Sequence, residues 1–556
     1  MPVARESVER ILLTIPGQYR GPGGAIAVLH DGELVGQHVW GFADLDRRIP
    51  MTPATLFPIC STTKQMFCQA IFDLERNPPS ALGGDVRQQL TAAIAALLGP
   101  DLFPGPDGMT IDNLWDMRSG LRDYWALCTL WGAAPESRYT IATHSQPTLA
   151  RLQTPHFAPA AAMSYSNTNY HVLGRAVEAV TRDTVGALLA ARVFAPAGMA
   201  TARVVADTAT PLLPGRCVGH EGDDTRGFTA ARNAIEWAGD AGAVASLEDM
   251  VAYERHFDRL WRDDRDPWYR ALAADPGRYA DGAKARYRMG LSHVALGGEA
   301  ATLTVGHGGA LRGFRVHRRY VPDARLSVVV LFNHEASAEG CAGRIIEELL
   351  GLSSVPAACG VETKAAVVER QQQPAPEWFG VFLDAETQLA VVVRPGGGGG
   401  EVSILWAGDD FRVPLGDHPR NARSRDVIAS VDGDSLRVQC LVDNVKIEAK
   451  RVVKRDGDLA GSSFSGGFRC EELDSTLHCT GQGDLLYSAF DGFLGEGPPH
   501  LMRHVGGDVW FLADPRGMDA PAPGNWTVVF RRDDQGSVIG LTIGCWLARK
   551  LEYVKV

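Results

Sequence analysis

At 556 residues, with 45% hydrophobic and 22% charged residues, the chain has the composition of a soluble globular protein and the length of two or three domains. A net charge of −11 with no offsetting basic run argues against nucleic acid and anionic membranes as partners. The opening residues carry acids and no long apolar segment, and no apolar run approaches the roughly 20 residues that span a bilayer. Neither a secretory signal nor a membrane helix is expected, and the expected location is cytoplasmic.

The ten cysteines include no Cys-x-x-Cys, so free thiols in a reducing compartment are expected, with a Cys470–Cys479 bridge across a hairpin as the alternative. No His-Glu-x-x-His cluster or phosphate-cradling glycine loop is present, so no metal or other cofactor is expected.

Residues 25–30, Asp31-Gly32 and residues 33–35 read as an early hairpin around an Asp-Gly turn. Next comes Phe57-Pro58-Ile59-Cys60-Ser61-Thr62-Thr63-Lys64. Of the eight lysines, only Lys64 follows a serine by three positions. Met66, Phe67, Ala70, Ile71 and Leu74 then recur at helical spacing, so Ser61 opens a buried helix with Lys64 stacked beside it. A desolvated lysine can become a neutral base, which arginine cannot. Ser61 and Lys64 are therefore the first candidates for a nucleophile and its base. The alternative is a capping serine and a surface lysine, and the spacing alone recurs about twice by chance in a chain this long.

Helices are expected over residues 169–180 and 246–260. Ser164-Tyr165-Ser166-Asn167 ends a loop ahead of the first of these, which lets Tyr165 and Asn167 face a cleft. Thr304 to Phe314 is glycine-rich around His307 and Ala310, and glycines let backbone amides approach a ligand closely. Taken singly, Tyr165 reads as a half-buried phenol, Asn167 as a cap and His307 as a strand-end histidine. A buried strand over 326–332 and a helix over 344–350 close this region. Strands at both ends with helices between suggest one sheet built from the two termini.

Residues 371–376 read as a polar, proline-bearing linker. Beyond Trp378, short β-type runs alternate with turn residues. Residues 391–393, the glycines 396–400 and residues 402–406 make one loose hairpin. Trp378-Phe379-Gly380-Val381-Phe382 resembles Phe464-Ser465-Gly466-Gly467-Phe468, and residues 445–450 resemble 545–550. Two related β-barrels with a boundary near 455 are the reading, unrelated β modules the alternative.

In their order, Ser-x-x-Lys, Tyr-x-Asn and His-x-Gly resemble the serine β-lactamase-like family of penicillin-recognising enzymes. Residues 114–123, 194–199 and 242–250 extend the likeness over most of 1–345. Arg118 stands where the family often has His-Thr, and His307 replaces the lysine of typical β-lactamases, which moves the reading away from that activity. The resemblance implies an α+β fold. Its parts are a β-lactamase-like catalytic domain (1–352), an antiparallel sheet covered by helices, and two antiparallel barrels (374–455 and 456–556). It implies Ser61 as the acylated nucleophile, Lys64 as base and Tyr165 as proton relay. Asn167 would hold the substrate amide, and His307 would polarise the tyrosine or bind substrate. The amides of Ser61 and Ala310 would form the oxyanion hole.

The two barrels resemble the D-aminopeptidase branch of that family. That likeness implies small D-amino-acid peptides or amides as substrates, a homodimer, and a barrel loop that carries an aspartate into the site. Asp491, flanked by Phe490 and Phe493, is the candidate, with Glu496 second. A D-stereospecific amidase or esterase, or a β-lactam- or peptide-binding protein without aminopeptidase activity, is the alternative.

Overall fold

The computed structural model describes residues 3–209, 215–297, 301–352, 372–397, 399–454, 461–513, 515–521 and 523–556. The boundary read near 455, Gln371 of the linker and Gly398 of the glycine run lie outside them.

Asp31 and Gly32 both take positive φ (55° and 77°), the backbone of a two-residue hairpin turn. They join strands Gly23–His30 and Glu33–Asp44. The first of these pairs antiparallel with Leu326–Phe332, with Ala25 opposite Leu331 and Val28 opposite Val328, so the two ends of the catalytic region meet in one sheet. That sheet has eight strands in the order 49–50, 33–44, 23–30, 326–332, 314–321, 302–311, 291–296 and 287–288.

Alternate residues of Gly23–His30 divide between two apolar layers, as strand geometry requires. Ile26 and Val28 pack with helices Arg5–Gln18 and Ala338–Leu350. Ala25, Ala27 and Leu29 face the larger helical layer. In that layer Arg318 and Glu254, both fully buried, form a bidentate ion pair at 2.5 and 2.7 Å. Arg318 also donates to Gln65, the neighbour of Lys64, at 3.0 Å and so pins that helix to the sheet.

Two antiparallel sheets follow. The first has eight strands running from Gly380–Asp384 to Val445–Arg451, and a bridge between Leu415 and Ala422 nearly closes it. The second has nine strands between Gly466–Cys470 and Ala548–Lys555, and the added pairing of 475–482 with 485–492 closes it. The architecture is an antiparallel sheet covered by helices, followed by two barrel-like antiparallel sheets.

The internal likeness has a backbone counterpart. Gly380 and Gly466 both open the first strand at φ 145°, and Gln388 and Asp474, each eight residues on, both take positive φ. A buried aromatic, Trp378 or Phe464, precedes each glycine by two residues. The closing segments differ: 445–450 lie in one strand, whereas 545–550 straddle the Trp546-Leu547 turn.

Apolar packing runs without a break from the catalytic helices into the second barrel, while the first barrel has a core of its own. Trp546 ties the three modules: its indole donates to Asp443 of the first barrel at 3.0 Å and its carbonyl accepts from Ser164 at 3.1 Å. The nine described cysteines are free and buried, and Cys470 faces Ser475 rather than Cys479 across its hairpin.

Candidate active site

Ser61 sits in the 3-10 turn Cys60–Thr62, which continues into helix Thr63–Arg76, and Cys60 ahead of it has φ 49°. The three-residue spacing brings the Lys64 ammonium back over that turn. Its Nζ lies 2.9 Å from Ser61 Oγ and donates to Asn167 Oδ1 at 2.7 Å and to the Asp240 carbonyl at 2.5 Å. Burial lowers Lys64 to about 8, against the opposing pull of Asp240, Asp123 and Asp519. Near neutrality a useful fraction is then a free amine able to accept the serine proton.

Tyr165 enters from the loop ahead of helix Asn167–Thr181. Burial pushes its phenol well above the usual range, while its hydrogen bond to Ser61 pulls the other way. Asn167 bridges two groups: its oxygen accepts from Lys64, and its side chain bonds the carboxylate of Asp123. Asp123 caps helix Tyr124–Leu130 through Ala126 N at 3.0 Å and accepts from Asn167 N at 2.6 Å. Burial nevertheless raises it to about 6.

His307 lies within strand Thr302–Leu311, which flanks the cleft. A Cβ at Gly309 would fall 2.5 Å from the Ile59 carbonyl oxygen, so glycine there lets this strand lie against the turn that carries Ser61. The His307 ring bonds the Tyr287 hydroxyl at 2.9 Å and the Gly308 carbonyl, not Tyr165. Burial, with Lys64 nearby, lowers it to about 3, so it is neutral.

A cavity of about 560 Å³ joins these groups. Ser61, Tyr165, Asn167, His307 and Ala310 all line it. Asp491, Phe490 and Phe493 do not. Strand Leu485–Gly492 and the turn after it dock on the end of helix Tyr124–Leu130 instead. A Cβ on Gly132 would meet the Gly495 carbonyl at 1.8 Å, and Phe493 packs on Trp131 with ring centroids 5.0 Å apart. Asp491 pairs across the sheet with Thr476 and Glu496, so this segment is a wedge between barrel and catalytic domain.

The barrel segment that enters the cavity is the connection between strands Val509–Leu512 and Trp526–Arg532. Gly517, Asp519, Ala520 and Pro521 line the space. Arg516 anchors the segment to Glu335 of the catalytic domain at 2.8 Å, and Pro523 rests on Gly408 of the first barrel. Burial raises the Asp519 carboxyl to about 8, helped by the negative charge of Asp123 and Asp240. Sequence reading missed Asp519. The available signal was length: hairpins usually close in two to five residues, and this connection is longer and rich in Gly and Pro.

The arrangement gathers a serine hydroxyl, a lysine that becomes a free amine as pH rises through about 8, a buried phenol and the carboxyls of Asp123 and Asp519 around one cavity, which Arg315 also lines.

Residues 8–350 match the family model for β-lactamase, and residues 371–554 match that for D-aminopeptidase, domain B. Over 551 residues the chain is 40% identical to the D-aminopeptidase of Brucella canis, covering 99% of both chains. Over 550 residues it is 40% identical to that of Brucella anthropi, covering 99% of this chain and 98% of the other. Among solved structures it is similar to an octameric penicillin-binding protein homologue from Pyrococcus abyssi, with TM-score 0.51 and 18% identity, covering 80% of this chain and 99% of that one. That likeness speaks to the fold. The chain belongs to the β-lactamase family of serine hydrolases, in its D-aminopeptidase branch.

Proposed function

We propose that the chain is a serine aminopeptidase that releases N-terminal D-amino acids from small peptides and amides through an acyl-enzyme. One observation carries the reading: a barrel residue, Asp519, shares the Ser61 cavity with Asp123, while Arg315, which also lines it, is engaged by Glu335 at 3.4 Å. A substrate α-ammonium beside Asp519 would favour its ionised form, against the burial that raises that carboxyl to about 8. The 40% identical D-aminopeptidases support the same activity.

Lys64 as free amine takes the Ser61 proton while Oγ attacks the scissile carbonyl. The tetrahedral oxyanion is received by the amides of Ser61 and Ala310, each donor contributing about 3 kcal/mol in comparable sites. Tyr165, already bonded to Ser61, passes a proton to the departing amine and takes up the one Lys64 received, which returns Lys64 to the free amine. Water then attacks the ester, with Lys64 again as base, and restores Ser61. Asn167 holds Lys64 and Asp123 in register. Neutral His307 adds no positive charge to this wall, where Arg315 is engaged by Glu335.

The test compares D-alanine p-nitroanilide with its N-acetylated form. Efficient turnover of the free amine alone supports an aminopeptidase, and equal turnover of both leaves a general D-amidase. A homodimer and a cytoplasmic location complete the proposal, to be tested by light scattering and fractionation. Among the described residues no helix is long and apolar enough to cross a membrane.

A further inference from the structure

A second space, of about 350 Å³, lies at the seam between the catalytic domain and the first barrel. Its catalytic wall comes from strand Leu291–Leu296 and the segment leading into it, and its barrel wall includes Arg425, Leu441 and Asn444. Among the described residues, the charged side chains lining it are Lys284, Arg286 and Arg425, and no carboxylate lines it. Arg286 pairs with Asp426, and Arg425 donates to the carbonyls of Ala295 and Gly297, so both guanidinia are held in place. Lys284 is exposed at the edge and forms no ion pair among the described residues.

His293 points to a ligand. It lines the pocket, is 5% exposed, and neither ring nitrogen has a hydrogen-bond partner in good geometry. Buried polar groups in native proteins are nearly always paired, and apart from the nearby Ala273 carbonyl this ring has no partner among the described residues, which leaves it able to bind an occupant. Burial and the charges of Lys284 and Arg288 push His293 down to about 4, with Asp275 and the Ala273 carbonyl acting the other way. An anion beside it would reverse that balance and give the ring a hydrogen-bond acceptor.

We propose that this seam pocket binds a small dianion of the phosphate class, free or esterified, held by Lys284 and His293 within the positive field of Arg286 and Arg425. The occupant would bridge the catalytic domain and the first barrel. The pocket lies apart from the catalytic cavity, yet the strand that carries His293 also carries Ser292, which lines that cavity. The two sites share one strand.

The test is calorimetric titration of the full chain with inorganic phosphate and with glycerol 3-phosphate, ionic strength held constant with sodium chloride. One saturable event per chain is expected. Tighter binding of the ester identifies an esterified phosphate as the occupant, and equal or weaker binding identifies the ion. Lys284→Met, at an exposed position, should weaken binding at least about tenfold while leaving turnover of D-alanine p-nitroanilide in phosphate-free buffer unchanged. His293→Leu should do the same, and His293→Gln, which keeps a donor amide, should recover part of the loss. No saturable binding of either probe to about 10 mM, or binding that Lys284→Met and His293→Leu leave untouched, would overturn the proposal.

Discussion

The Tyr287 hydroxyl and the His307 Nε2 lie 2.9 Å apart, while Nδ1 of the same ring faces the Gly308 carbonyl. A carbonyl only accepts, so Nδ1 carries the proton, and Nε2 of the neutral ring accepts from Tyr287. Both nitrogens are thereby committed, and neither is bonded to Tyr165. Tyr287→Phe should leave Nε2 without its donor in a buried site, a loss of about 1–3 kcal/mol. The expected outcome is a shift of the His307 ring nitrogens by NMR with a roughly tenfold fall in kcat at modest change in KM. Unchanged nitrogen shifts would remove Tyr287 from this role.

Lys64→Arg should be nearly as damaging as Lys64→Ala, because a guanidinium cannot accept the Ser61 proton near neutrality. In both, kcat should fall by at least about a thousandfold with the acyl-enzyme no longer seen by intact mass. An active arginine variant would show that Lys64 supplies charge only.

The pH profiles of the two substrate classes should differ. Lys64, lowered to about 8, is an ammonium below that value and a base above it, so kcat/KM for an N-acetylated substrate should rise through about 8 and stay high. With a free-amine substrate, Asp519 also gains charge as pH rises through about 8, which strengthens the limb. The substrate's own α-amine then loses its proton at about 8 and brings the rate down again. A bell for the free amine and a single rise for the blocked one are expected from initial rates between pH 5 and 10. The rising limb belongs to coupled groups rather than to one residue.

Asp519→Asn should leave an ammonium without a counter-charge in a poorly solvated cavity. A charge-assisted hydrogen bond contributes about 2–3 kcal/mol, so kcat/KM for free-amine substrates should fall roughly a hundredfold, while N-blocked substrates should lose nothing. Equal losses for both would mean that the segment only shapes the wall.

Asp491→Ala should change kcat/KM for either substrate less than about twofold, whereas Gly132→Val should destabilise the fold by more than about 3 kcal/mol. The valine would meet the Gly495 carbonyl, and its φ of 82° is costly for any side chain with a Cβ. Thermal melts and paired kinetics of both variants measure this.

What was legible in the sequence was mostly local. Asp31-Gly32, the Ser61–Lys64 spacing and the Tyr165–Asn167 junction each depend on neighbours a few residues away. The sheet built from both termini followed from the buried runs at 25–30 and 326–332. Asp519 was not among the candidates, because which barrel connection faces the cleft is not written in the local sequence. Docking geometry decides that: Gly132 against Gly495 turns one segment into a wedge, and Arg516 on Glu335 draws the other inward. The Tyr287–His307 bond escaped notice because twenty residues and two strand reversals separate the partners.

The unbroken apolar core between the catalytic helices and the second barrel has a consequence for synthesis. Trp131 and its neighbours leave the ribosome long before the barrel that covers them. Phe493 follows Trp131 by about 360 residues, roughly 20–70 s at ordinary elongation rates. For that interval the nascent chain carries an apolar face that only its own carboxyl terminus can cover. A truncated chain keeps it exposed for good, so C-terminal deletions should yield aggregates that need chaperones, not a smaller enzyme with broader tastes.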